Sequence, residues 1–187
     1  MPAELTVLVE GYADDRVGST ITLIREGDTV IVVDPGMVAK RSVILDPLQQ
    51  LGVTPDEVTD VVFSHHHPDH TLNAALFADA RFHDVQATYL GDIWDDRRAE
   101  GLRLSPSVWL LETPGHTPQD VTTVVQTDAG LVVCTHLWWS ADGPAEDPFA
   151  EDRSTLRASR ERVLALEPVL VVPGHGPAFV PDDGTAR

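Results

Sequence analysis

The chain opens with three apolar runs of strand-like alternation, residues 5–10 (LTVLVE), 19–27 (STITLIREG) and 29–34 (TVIVVD). Gly27-Asp28 between the last two supplies a two-residue hairpin turn. Beyond Asp34-Pro35-Gly36 the period changes. Val43, Ile44, Leu48 and Leu51 fall at helical spacing, and Gly52 closes that helix. Residues 58–64 (VTDVVFS) predict a short strand, after which 71–80 (TLNAALFADA) return to helical spacing. The second half has a related rhythm. Residues 102–113 and 121–135 read as hairpins, the second turning at Asp128-Ala129-Gly130. Residues 153–166 predict an amphipathic helix with Leu156, Arg160, Val163, Leu164 and Leu166 inward, and 168–176 (PVLVVPGHG) a strand running into a loop. Two halves, each a strand meander followed by a helix, predict an α+β fold of two packed sheets with helices outside. The polar stretch 140–152 reads as a loop, so one domain spanning 1–187 is expected.

Composition narrows the possible settings. At 187 residues and 42% hydrophobic content the chain can bury its own core. No apolar run reaches the ~18 residues of a membrane span, and MPAELTVLVE lacks a leader pattern, so a cytoplasmic protein without a membrane partner is expected. Cys134, the single cysteine, sits in LVVCT and reads as a buried strand thiol. The net charge of −17 disfavours polyanions at long range, so a small-molecule substrate is expected rather than nucleic acid.

The candidate chemistry lies in the histidines. His65, His67, Asp69 and His70 crowd into HHHPDH directly after a predicted strand. His116 lies in TPGHT, His136 follows LVVCT, and His175 lies in VPGHG, each at a strand end or loop. Imidazole and carboxylate donors suit zinc, iron or manganese. Alternate residues His65 and His67 share a direction on an extended segment while Asp69 and His70 diverge, a layout able to feed two adjacent ions. His83, alone in its segment, reads as solvated surface.

HHHPDH followed in order by PGHT, a strand-end residue and PGHG resembles the metallo-β-lactamase superfamily, from VVDPG at 32–36 through VPGHG at 172–176. The resemblance implies a four-layer αβ/βα sandwich with two divalent metal ions, zinc first and iron or manganese as alternatives, at one edge of the sheets. It implies a first site of His65, His67 and His116 and a second of Asp69, His70 and His175. Asp34 would orient a ligand without binding metal, and His66 would point away. Many binuclear members carry a bridging aspartate where this chain has Thr135-His136. A neutral histidine cannot copy that bridge. His136 either ligates the second ion, faces the groove as an acid, base or substrate contact, or marks a site that firmly holds one ion.

The implied activity is hydrolysis by a metal-activated hydroxide at a carbonyl or phosphoryl centre of an ester, lactone, amide or phosphodiester. Asp69 would orient the nucleophile and carry its proton. Loss of the bridging carboxylate leaves the site more positive, which favours an anionic substrate or product. Two alternatives stand beside hydrolysis: a mononuclear-iron sulfur oxygenase of the same fold and a metal-binding module without turnover. Trp138 and Trp139 could form an apolar wall for substrate, complete the core, or make a subunit contact that leaves a homodimer open.

Overall fold

The computed structural model describes residues 2–187. Its first half runs β1 (Glu4–Val9), a small hairpin of β2 (Tyr12–Ala13) and β3 (Val17–Gly18), β4 (Ile21–Glu26), β5 (Thr29–Val33), α1 (Ser42–Gln50), β6 (Asp60–Val62), α2 (Pro68–Thr71), β7 (Arg81–His83), β8 (Ala87–Leu90) and β9 (Ile93–Asp96). The second half runs β10 (Arg103–Ser105), β11 (Val108–Glu112), β12 (Val121–Thr127), β13 (Gly130–Thr135), α3 (Arg153–Leu164) and β14 (Leu170–Pro173). A seven-stranded sheet has the order β1-β4-β5-β6-β7-β8-β9, and a five-stranded sheet runs β10 to β14 in sequence order.

Alternate side chains of the central strands serve two different cores. Ile31 and Val33 of β5 face Val132 and Cys134 of β13 and Leu110 of β11 in the layer between the sheets. Val32, between them, faces the other way with Ile44 and Leu48 of α1. Val133 likewise turns from the inner layer to meet Leu156 and Val163 of α3. This is the four-layer αβ/βα sandwich that the resemblance implies, and it contains the two packed sheets with outer helices that the meander-and-helix rhythm predicts. Sheets covered on both faces read as near-continuous apolar runs.

Topology places the strand ends that matter on one edge. β6 runs parallel to β5, and β14 runs parallel to β13. β11 is antiparallel to β12, itself antiparallel to β13, so β11 ends on the same side as β13 and β14. Backbone bonds clamp the two halves together there, Val121 N donating to Ser64 O at 2.8 Å and Thr20 N to Gly174 O at 2.8 Å. The loop after β13 is held from behind by Arg160, whose guanidinium donates to Leu137 O at 2.8 Å and Ala145 O at 2.6 Å over the Trp138 ring. Asp152 caps α3 by accepting from Ser154 N at 2.8 Å.

Three expectations need correction. Residues 71–80 do not form one helix. α2 stops at Thr71 and a 3₁₀ turn covers Ala74–Phe77, because Asn73 bonds through backbone and side chain to Gly36 O. His83 is buried rather than solvated, 2.7 Å from Asp60 Oδ1 and 3.1 Å from Thr88 Oγ1. Trp138 is core: 2% exposed, it packs with Leu137 and Val171 and donates to Ala186 O, so it forms no substrate wall.

The strand reading of Cys134 holds. Burial pushes its thiol up to about 12 despite a hydrogen bond with Thr22. A thiol so protonated and enclosed is a poor nucleophile. Native protein should therefore leave Ellman's reagent unreacted over hours and release one equivalent of thionitrobenzoate on unfolding in guanidinium.

Candidate metal centre

Strand ends and the helical turn after β6 deliver seven of the predicted residues to one small volume. Ser64 and His65 follow β6, His116 follows β11, His136 follows β13, and His175 follows Gly174 at the end of β14. His67 precedes Pro68, the first residue of α2, so that Asp69 and His70 ride on a helical turn. His65, His70, His116, His136 and His175 are each at most 5% exposed, whereas Asp69 and His67 stand at the mouth. The His136 ring is central. Its centroid lies 4.1 Å from that of His116, 4.7 Å from those of His65 and His70, and 5.0 Å from that of His175.

Most of these rings are held through Nδ1 from outside. Ser64 Oγ lies 3.0 Å from His65 Nδ1, and Asp34 Oδ2 lies 2.8 Å from His70 Nδ1. Asp147 Oδ2 lies 2.7 Å from His116 Nδ1, and Gly18 O accepts from His175 Nδ1 at 3.0 Å. An outer acceptor of this kind fixes the tautomer and leaves Nε2 as the free donor. Asp34 thus stands behind His70, on the side away from the other rings. It adopts a left-handed φ of 53°, and its other oxygen accepts from Ser64 N at 2.7 Å. His66 points away, 3.0 Å from Asp84.

The inward-facing atoms suit a cation. His65 Nε2, His70 Nε2 and His136 Nδ1 are buried without any hydrogen-bond partner, an arrangement that costs stability unless something fills the gap. His136 Nε2 lies 3.1 Å from His175 Nε2, and Asp69 Oδ2 lies 3.6 Å from His175 Nε2 and 3.4 Å from His70 Nε2. Donors about 2.0–2.1 Å from a tetrahedral zinc stand about 3.3 Å from one another. Two sets bring one ligand atom per residue within 4.8 Å, His65 with His116 and His136, and His70 with His136 and His175. His67 stands beside the first set, its Nδ1 3.1 Å from His116 Nε2. His136 therefore belongs to both sets.

Electrostatics favour the neutral, ligand-ready form of most of these rings. Burial first, then the neighbouring imidazoles, drives His65 and His136 well below the ordinary histidine range. His175 is lowered too, mainly by burial. His70 moves the other way: burial lowers it, but the carboxylates of Asp34 and Asp69 outweigh that and push it up to about 9. Burial acts to raise Asp69, yet its contacts with His70 and His175 keep it below the usual carboxylate value.

Asp147 is a functional candidate that the sequence pattern does not single out. Fully buried in the loop 140–152, it also accepts from Trp139 Nε1 at 2.8 Å, and its Oδ1 accepts from Phe149 N at 2.8 Å. One of several carboxylates in a polar stretch, it carries no local signal. Trp139 lines the cavity over the imidazoles together with Phe149, Val17 and Asp14.

The profile of the Metallo-beta-lactamase superfamily matches residues 14–92. "Metallo-beta-lactamase domain-containing protein 1" of Xenopus laevis is 34% identical over 95% of this chain and 82% of that protein. The chain spans 59% of the Homo sapiens protein of the same name. Among solved structures, a Thermotoga maritima protein assigned to the metallo-beta-lactamases superposes with a TM-score of 0.76 at 24% identity, covering 97% of this chain and all of that one. An N-acyl homoserine lactone hydrolase, solved with its product at the catalytic metal center, has a TM-score of 0.68 at 19% identity over 93% of this chain and 92% of its own. The chain belongs to the metallo-β-lactamase superfamily, a fold that implies divalent-metal binding and whose members are mostly hydrolases.

Gly174 leaves room for this assembly. A Cβ there would come within 2.3 Å of His136 Cδ2 and 2.8 Å of its Nε2. Gly174→Ala should displace the His136 ring and destabilise the fold by roughly 1–3 kcal/mol, as overpacking does. Urea unfolding measures the loss, and histidine ring resonances report the displacement.

Proposed function

We propose that the chain is a metal-dependent hydrolase whose His65, His67 and His116 hold one divalent ion and whose Asp69, His70, His136 and His175 hold a second. Zinc suits the donor set, and iron or manganese would be accepted by it. The observation that carries this reading is the inward set of ring nitrogens, four of the rings anchored from behind through Nδ1, spaced as donors around a cation. When bound, the ions supply Lewis acidity and bring the pKa of water towards ~7.

The chain's own groups supply the remainder. Asp69, the only carboxylate in the inner set, is held ionised at the mouth and can accept a hydrogen bond from the attacking water and carry its proton to the leaving group. His136 occupies the place of the bridging aspartate without its charge, which leaves the floor about one unit more positive and favours an anionic product. Asp34 and Asp147 hold His70 and His116 in orientation. The charge of −17 supports a small-molecule substrate over nucleic acid.

A panel of lactone, thioester, nitrocefin, bis-p-nitrophenyl phosphate and single-stranded RNA, run after chelation and reloading with zinc, manganese or iron, tests the reading. Hydrolysis should vanish on chelation, return on reloading and be abolished in His116→Ala. Turnover that survives His116→Ala would refute the first-site assignment, and one iron per chain with oxygen uptake and no hydrolysis would favour the sulfur oxygenase. Asp147→Ala should weaken cation affinity about 10- to 100-fold, since it removes the acceptor behind a ligand; competition with a chromophoric chelator measures it.

A further inference from the structure

The seven-stranded sheet ends on β9, whose one strand neighbour is β8. Antiparallel alternation decides which of its main-chain groups are free. Arg97 N bonds Gln86 O at 2.8 Å, on the β8 side. The groups of Ile93 and Asp95 therefore face β8 as well, and those of Trp94 and Asp96 face outward. Among the described residues none donates to them or accepts from them. The β14 edge of the other sheet is covered, because Phe179 exchanges both main-chain bonds with Val171 at 2.8 and 2.9 Å.

The open edge is also apolar. All four residues of β9 are exposed, and the hairpin presents Leu90, Ile93 and Trp94 at 45%, 63% and 57% exposure. Trp94 is the one tryptophan of the chain left open to this extent. Scattered surface hydrophobics need no explanation, but three on one unpaired hairpin mark an interaction site.

The hairpin is held at its base. Trp94 stands edge-on to Tyr89 with ring centroids 4.6 Å apart, and Tyr89 OH donates to Asp84. Asp84 accepts further from Gln86 N at 2.8 Å and Ala87 N at 2.7 Å. Arg97 donates to Asp84 O at 2.7 Å and to Thr88 Oγ1 at 3.0 Å. An edge fixed in this way needs little ordering to accept another strand.

Charge selects the occupant. Asp92, Asp95 and Asp96 flank the two apolar side chains of β9. The cations that follow are engaged elsewhere, Arg97 with main-chain oxygens and Arg98 with Glu112. A second copy of the chain would set these aspartates against their own equivalents, and like charges opposite one another on paired strands are unfavourable. The net charge of −17 opposes that pairing at longer range as well.

We propose that β9 is a docking edge for an extended protein segment in which Lys or Arg alternates with apolar residues, added to the seven-stranded sheet as a further strand. Main-chain bonds to Trp94 and Asp96 set its register. Its basic face lies beside Trp94 and Asp96, where a cation meets both a ring and a carboxylate, and its apolar face lies beside Ile93. The docking needs neither a metal ion nor the hydrolase reading.

The blocked heptapeptide KVKVKVK, and its counterpart with every internal amide N-methylated, are titrated by NMR into the full chain. The first should saturate and shift the amide resonances of Trp94 and Asp96. It should bind about tenfold or more tightly than the N-methylated form, which keeps charge and side chains but loses the strand donors. Trp94→Ala should weaken it about three- to tenfold, the scale of one aromatic contact, and the exposure of Trp94 makes the variant safe for folding. Equal binding of the two peptides would reduce the effect to bulk charge and overturn the proposal, as would a lack of saturation or shifts confined to other elements. Sedimentation of the chain alone gives one further outcome: a dimer that Trp94→Ala dissociates would make a second copy the occupant and overturn it too.

Discussion

A neutral imidazole buried without a partner is costly, and this structure collects several of them in one place. The cost is contained because His65, His70, His116 and His175 each commit Nδ1 to an acceptor behind the site: Ser64 Oγ, Asp34, Asp147 and the Gly18 carbonyl. The inward nitrogens have no such acceptor, and His175 Nε2 lies 3.1 Å from His136 Nε2 and 3.6 Å from Asp69 Oδ2, the mutual distances a small cation imposes. The rest of the molecule serves that arrangement. The acceptors come from both halves of the sandwich, so neither half could present the rings alone. Backbone bonds from Val121 to Ser64 and from Thr20 to Gly174 keep the two strand-end edges in register.

How much of this was legible in the sequence depends on whether the signal is local. HHHPDH is local: a strand, an extended step and a helix opened by Pro68 turn consecutive residues in different directions, and the spacing announces it. The double use of the strands is local as well, because inward and outward residues alternate along β5 and β13. Asp147 is not. Its importance comes from His116, Trp139 and Phe149 meeting it in space. His83 failed for a similar reason, since its partner Asp60 lies on a neighbouring strand. The hairpin of β8 and β9 gives no period to read, because all residues of β9 are exposed.

Trp138 and Trp139 show how a single step along the chain separates structure from function. His136, Leu137 and Trp139 lie in bends beyond the end of β13, so the alternation of the strand does not carry into the pair, and Leu137 and Trp138 enter the same core. Trp138 turns towards α3, where it packs under Arg160, and Trp139 turns to the cavity. The sequence shows a tandem pair. Which member faces the cavity is fixed by those bends and by the partner each indole finds, Ala186 O for Trp138 and Asp147 for Trp139.

Asp147 joins the two chemistries of the site. A carboxylate that held only His116 would fix a candidate ligand; one that held only Trp139 and Phe149 would shape a pocket. Doing both makes the position of the apolar wall and the orientation of the imidazole interdependent, because a shift of the loop 140–152 moves the acceptor on which His116 depends. Arg160 limits that shift by clamping the Leu137 and Ala145 carbonyls to α3, and Asp152 fixes the far end of the loop by capping the same helix. The loop is thus anchored at both ends, with exposed Phe149 three residues before Asp152.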